Sequence, residues 1–143
     1  MEETIYPTIL NDLAAPRLRV YPRATVVSEK LEAIVTFGMT NSRMKDYFDL
    51  RALAKEGATE EAALTEAIAA SFARRGTTIP EELPLGLTDE FARDTAKVTQ
   101  WKAFLGKNRL DAPSLDVVVA DVRAFVEKPL RLARERQARA VLR

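Results

Sequence analysis

Residues 25–54, TVVSEKLEAIVTFGMTNSRMKDYFDLRALA, decide how the rest of the chain is read. They contain two helical patterns joined by a hinge. The first opens near Thr25, whose hydroxyl can accept a free backbone N–H. Val27, Leu31, Ile34, Val35 and Phe37 then recur at helical spacing until Gly38, a natural C-terminal stop. At about 100° per residue, Ser28, Glu29, Glu32 and Thr36 share a polar side, whereas Lys30 lands in the apolar arc between Phe37 and Ile34. The second pattern follows the turn at residues 38–41, with Asn41 or Ser42 as its cap. On its wheel Asp46 sits between Leu50 and Leu53, Arg43 is one turn earlier on nearly the same line, and Asp49 lies roughly 60° away. Two successive helices thus each turn a charged side chain toward an apolar face, and a short hinge lets those faces meet. A lysine and an aspartate then share one cleft.

Each of these residues also has a plainer reading. A lysine on an apolar arc can bury its stem and keep its ammonium in water. Asp46 falls in the first turn of its helix, where the dipole favours a carboxylate in any protein. Lys45 and Asp49 are four apart, the spacing of an ordinary surface pair. Spacing by itself names no reaction.

The run YPRATVVSEKLEAIVTFGMTNSRMKDYFDL resembles the C-terminal half of the AbiEii/AbiGii-type nucleotidyltransferase toxins of bacterial toxin–antitoxin and phage-defence pairs. The likeness continues through LTDEFARDTAKVTQWKAFLGKNRL to VRAFVEKPL, and so covers residues 6–130. EKLEA and NSRMKDYFDL, in this order and spacing, are its specific part. The resemblance implies transfer of a nucleotide from a nucleoside triphosphate to an RNA acceptor such as tRNA, with Mg2+, under the control of a cognate antitoxin. It further implies a lysine and an aspartate as catalytic residues, by motif position Lys30 in SEKLEA and Asp46 in RMKDYFDL. Arg43, Lys45 and Asp49 follow as the neighbouring substrate-binding residues. The chemistry suits these types, since a lysine neutralises phosphate charge that builds up in transfer and a carboxylate orients or deprotonates the accepting hydroxyl.

Such families carry a Gly-Ser motif and an Asp-x-Asp pair for the divalent metal in their N-terminal half. Neither occurs in these 143 residues, and Asp12 is the one acidic residue between Thr4 and Glu29. No residue of the chain is therefore assigned as a metal ligand. The expectation is half an enzyme whose N-terminal catalytic half is missing. The alternative is a non-catalytic helical module that binds RNA or its partner protein, the antitoxin.

Composition bounds the rest. The 143 residues make one domain, long enough to bury a core, and 47% hydrophobic with 30% charged residues describes a soluble globular protein. Lys and Arg number 22 against 21 Asp and Glu, so the whole chain exerts no strong pull on nucleic acid and any basic patch is local. The absence of cysteine and histidine removes disulfides, thiolate nucleophiles, imidazole bases and the usual zinc ligands, which leaves oxygen donors suited to magnesium. With no basic leader and no membrane-length apolar run, the expected location is cytoplasmic.

Residues 1–23 hold Pro7, Pro16 and Pro22 and read as an extended segment. Residues 17–21 could form one short β-strand, an orphaned edge that would favour a homodimer. A helical domain over residues 24–130 follows. After Gly57, Thr59 opens a third helix along Leu64, Ile68 and Phe72 that ends at Arg74, Arg75 and Gly76. The two arginines are either phosphate contacts or a helix end matched to its dipole. Residues 77–87, with Pro80, Pro84 and Gly86, are a loop. A fourth helix runs from Thr88 along Phe91, Val98, Trp101 and Leu105 to Gly106, its tryptophan reading as core or as a base-stacking ring. A fifth starts at Pro113 and Ser114, follows Leu115, Val118, Val119, Val122, Phe125 and Val126, and is kinked or ended by Pro129. The basic tail 131–143 carries Arg131, Arg134, Arg136, Arg139 and Arg143 against Glu135, either to grip an RNA backbone or as a solvated terminal helix. The expected fold is mainly α, about five helices in a compact bundle with at most one short N-terminal strand.

Overall fold

A computed structural model describes residues 22–40 and 43–141. The expected strand at residues 17–21, the caps Asn41 and Ser42, and Arg143 lie outside the described residues. Six helices are present among those described, and the protein is mainly α. They are α1 (Arg23–Phe37), α2 (Met44–Glu56), α3 (Glu61–Arg74), α4 (Asp89–Arg93), α5 (Thr95–Asn108) and α6 (Leu115–Val141). Short 3-10 turns occupy Gly38–Thr40 and Leu85–Leu87.

The long α6 is the spine. Its valines Val118, Val119, Val122 and Val126 are fully buried and meet α2, α3 and α4. α1 packs chiefly on α3, and more lightly on α2 and the Leu85–Leu87 turn. Leu64, Ile68 and Phe72 of α3, Met44, Tyr47 and Leu50 of α2, and Val27, Leu31 and Ile34 of α1 join them in one apolar cluster. Burying that surface is the main favourable term that holds the helices together.

Several boundaries differ from expectation. α1 starts at Arg23 behind Pro22, not at Thr25, and it does end at Gly38, whose φ of 52° glycine tolerates best. Glu60 rather than Thr59 precedes α3. The single fourth helix is two, because Asp94 takes an extended backbone and its carboxylate accepts the N–H of Lys97 at 3.1 Å. That N-cap starts α5 where the periodicity showed no gap. α5 continues through Gly106 to Asn108 and closes with Arg109 in the left-handed region, where its N–H reaches the Gly106 carbonyl. α6 does not end at Pro129. A proline inside a helix costs about 3 kcal/mol, and the following turns offset it. Leu130 and Ala133 are buried, Arg134 Nη1 donates to the Glu81 carbonyl at 2.9 Å, and Gln137 both accepts from Ile79 N–H and donates to the Thr77 carbonyl. The first part of the basic stretch thus clamps the loop at residues 77–81.

Arg23 and Glu56 tie the start of α1 to the end of α2 by two hydrogen bonds of 2.5 and 3.0 Å. The guanidinium holds the Glu56 carboxyl below its ordinary value of 4.5. A carboxyl whose pKa is lowered by folding adds stability that is present above the unfolded value and lost as pH falls through the folded one. Glu56→Gln is therefore expected to flatten slightly the loss of stability below about pH 4.5, and only slightly because the pair is exposed. Urea unfolding of both proteins at about pH 7 and about pH 3 checks this. An equal acid loss in the two would show that the pair carries none of it.

Candidate functional site

Lys30 lies midway along α1 and Asp46 in the first turn of α2, and the reversal through Gly38–Thr40 brings them face to face. Lys30 Nζ donates to Asp46 Oδ1 at 3.2 Å and stands 3.2 Å from Asp49 Oδ2. The shared cleft expected from the two wheels is observed. Lys45 Nζ donates to the same Asp49 oxygen at 2.7 Å, and Arg43 Nε is 3.4 Å from Asp46 Oδ2. All five residues named from the sequence therefore form one cluster, with three cations to two carboxylates.

Burial within the cluster is graded. The Asp46 side chain is 6% exposed and that of Lys30 22%, whereas those of Arg43 and Lys45 are 59% and 72% exposed. An inner lysine–aspartate pair is thus flanked by two outer, exposed cations. Asp46 Oδ2 is buried and receives no hydrogen bond, the Arg43 guanidinium beside it being an ion-pair contact only. A buried carboxylate oxygen without a donor is costly in a finished core, and it marks a group with capacity left for a ligand.

The cluster opens onto a cleft of about 680 Å³ that runs along α1, within the size range of small-molecule sites. Its far wall was not legible as a site. Ser28 and Glu32, on the polar side of α1, are both buried. Ser28 Oγ and Ser71 Oγ lie 2.7 Å apart, and Glu32 Oε2 accepts from Thr36 Oγ1 at 2.8 Å and Thr77 Oγ1 at 2.7 Å. Arg75 lies 3.7 Å from Glu32 Oε1, while Arg74 donates to Glu29 Oε2 at 2.7 Å. Both arginines at the end of α3 are therefore bound to α1, and Arg75 forms part of the cleft wall. Residues 28, 32 and 36, a polar line at helical spacing opposite the small residues of α3, were the available signal.

Trp101 is core, with its indole N–H donating to the Pro113 carbonyl at 3.0 Å. Of the basic stretch, Arg134 is engaged by the loop, while Arg131, Arg136 and Arg139 are exposed on α6.

The magnesium that the resemblance implies does not fit this donor set. Asp46 and Asp49 are already spanned by cations, and no third carboxylate converges with them among the described residues. A hard divalent cation needs several oxygen donors at once. What the cluster offers is three cations around two held carboxylates, a net positive charge at the mouth of the cleft.

No helix among the described residues is long and apolar enough to cross a membrane. No curated protein and no solved structure matches the chain. A family model does, that of the nucleotidyl transferase AbiEii toxin of type IV toxin–antitoxin systems, and it spans residues 1–128, which include every residue of the cleft. The chain belongs to the AbiEii nucleotidyltransferase toxin family of type IV toxin–antitoxin systems, which implies an antitoxin partner.

Proposed function

We propose that this chain supplies the phosphate- and acceptor-binding side of a nucleotidyltransferase site, in which a nucleoside triphosphate donates its nucleotide to a hydroxyl of an RNA such as tRNA. The observation that supports this most directly is Lys30, held 3.2 Å from both Asp46 and Asp49 at the floor of the cleft. In the reaction the acceptor oxygen forms a bond to the α-phosphorus, the bond to the β-phosphate oxygen breaks, and pyrophosphate leaves. Lys30 offsets the negative charge that develops on the phosphates. Arg43, exposed and in ion-pair contact with Asp46 Oδ2, swings onto the bound phosphate and uncovers that oxygen. Asp46 then orients the acceptor hydroxyl and takes its proton. The metal-holding carboxylates belong to a complementary half with the Gly-Ser and Asp-x-Asp motifs. Such substrates place the reaction in the cytoplasm.

The test is incubation with labelled nucleoside triphosphates, magnesium and total bacterial tRNA, with the chain alone and with a polypeptide that carries the complementary motifs. Label transfer is expected only with both halves, and Asp46→Ala should abolish it. Transfer by the chain alone would overturn the division into halves. No transfer in either case, together with RNA retention that survives Asp46→Ala and weakens when Arg136 and Arg139 are replaced, would make this a binding module instead.

A further inference from the structure

Phe37 ends α1, and it is 45% exposed although its spacing had placed it in the apolar arc. The apolar cluster and the side chains packed on it do not include it among the described residues. The ring instead lines the charged cleft. Core packing does not account for it.

Lys30, Ala33 and Phe37 succeed one another at spacings of three and four, so they form one stripe along α1, and all three line the cleft. A rise of about 1.5 Å per residue sets the lysine and the phenylalanine roughly 10 Å apart along the helix axis. Between them Ala33 ends at its methyl group and leaves the floor low. Gly38, with its positive φ, ends α1 just past the ring, and the chain continues into the 3-10 turn at Gly38–Thr40. The exposed side chain of Leu85, next to Gly38, extends the apolar edge there. Cation, low floor and aromatic ring follow the order of phosphates, ribose and base in an extended nucleoside triphosphate.

Resting on the reading of Lys30 as a phosphate ligand, we infer that Phe37 is the platform on which the nucleobase of the incoming nucleotide stacks. Every base has a π-face, so the platform accepts all four bases, and the larger overlap of a purine ring makes ATP and GTP the tighter ligands. Phe37 is then a specificity-determining residue, and Lys30 sets how far along the stripe the phosphates reach.

Calorimetric titration of the full chain with each of the four nucleoside triphosphates, and with inorganic tripolyphosphate in the same buffer, separates the two contacts. Nucleotides should bind more tightly than tripolyphosphate, purines most of all. Phe37→Leu, which keeps the residue apolar, should lower nucleotide affinity relative to tripolyphosphate by about fivefold to a hundredfold. Phe37→Trp should retain the preference, and Lys30→Met should weaken both ligands. If Phe37→Leu leaves the ratio unchanged while Lys30→Met still weakens both, the platform is overturned and the phosphate site stands. If neither nucleotide nor tripolyphosphate binds, both fail together.

Discussion

Lys30→Met is expected to reduce nucleotide transfer about a hundredfold or more while changing stability by about 1 kcal/mol or less. The first half follows from placement, because the ammonium is the innermost cation of the cleft and charge develops where it points. The second half follows from the count of charges around it. Without Lys30, Asp46 keeps the Arg43 guanidinium at 3.4 Å and Asp49 keeps Lys45 at 2.7 Å, so neither carboxylate is left alone. Methionine also preserves most of the buried apolar stem. An isolated buried ion pair would behave differently, since removing one partner strands the other and costs about 3–5 kcal/mol. Thermal unfolding measured beside the transfer assay decides between them. A loss of stability of that size would make Lys30 a structural ion and undo its assignment to phosphate. A small gain in stability would fit a residue kept for function at some cost to the fold.

That cluster was legible because it broke the rule of its own helix. Lys30 and Asp46 stood out as charges on apolar arcs, and the Gly38 hinge between them was short enough to force the two arcs together. Phe37 was misread, and the burial of Ser28 and Glu32 missed, for the complementary reason. A wheel assumes one buried face, but α1 lies between α3 on one side and α2 with the Leu85–Leu87 turn on the other, so its polar line Ser28–Glu32 became a hydrogen-bonded seam. Its last apolar residue, Phe37, stayed 45% exposed outside the apolar cluster. The helices that periodicity announced are present along Leu64, Ile68 and Phe72 and along Val118, Val119 and Val122. Their ends were harder to place. Asp94 breaks the fourth pattern by capping with its own side chain, and the turns after Pro129 are held by Leu130, Ala133 and Gln137 against partners remote in sequence. Tertiary contacts outweigh a local helix breaker when they supply more than the break removes.

The turn at Leu85–Leu87 explains how so open a cleft keeps its geometry, and it leads to the largest stability effect expected in the fold. Tyr47, the residue after Asp46, is fully buried, stacks on Phe91 with ring centroids 5.3 Å apart and donates its hydroxyl to the Gly86 carbonyl at 2.8 Å. Gly86 faces α1 as well. A Cβ added there would lie 2.6 Å from Ile34 Cγ2 and 2.8 Å from the Tyr47 hydroxyl, both inside any tolerable contact. The turn thus touches the helix that carries Lys30 and the helix that carries Asp46, and it does so where only a hydrogen atom fits. Gly86→Ala is expected to destabilise the protein by about 3 kcal/mol through overpacking, which is roughly 10 °C in melting temperature for a chain of this size. Ile34 sits in close-packed core and cannot retreat, so the strain falls on the spacing of α1 and α2. Tyr47→Phe removes the hydroxyl that the new methyl would strike. Alone it should cost about 1 kcal/mol for the lost hydrogen bond, but in the Gly86→Ala background it should cost nothing or restore part of the loss, a coupling of about 0.5 kcal/mol or more. Melting curves of the two single variants and the double variant measure that coupling directly. Strict additivity would mean that the turn yields without pressing on Tyr47, and that the separation of Lys30 from Asp46 is set elsewhere.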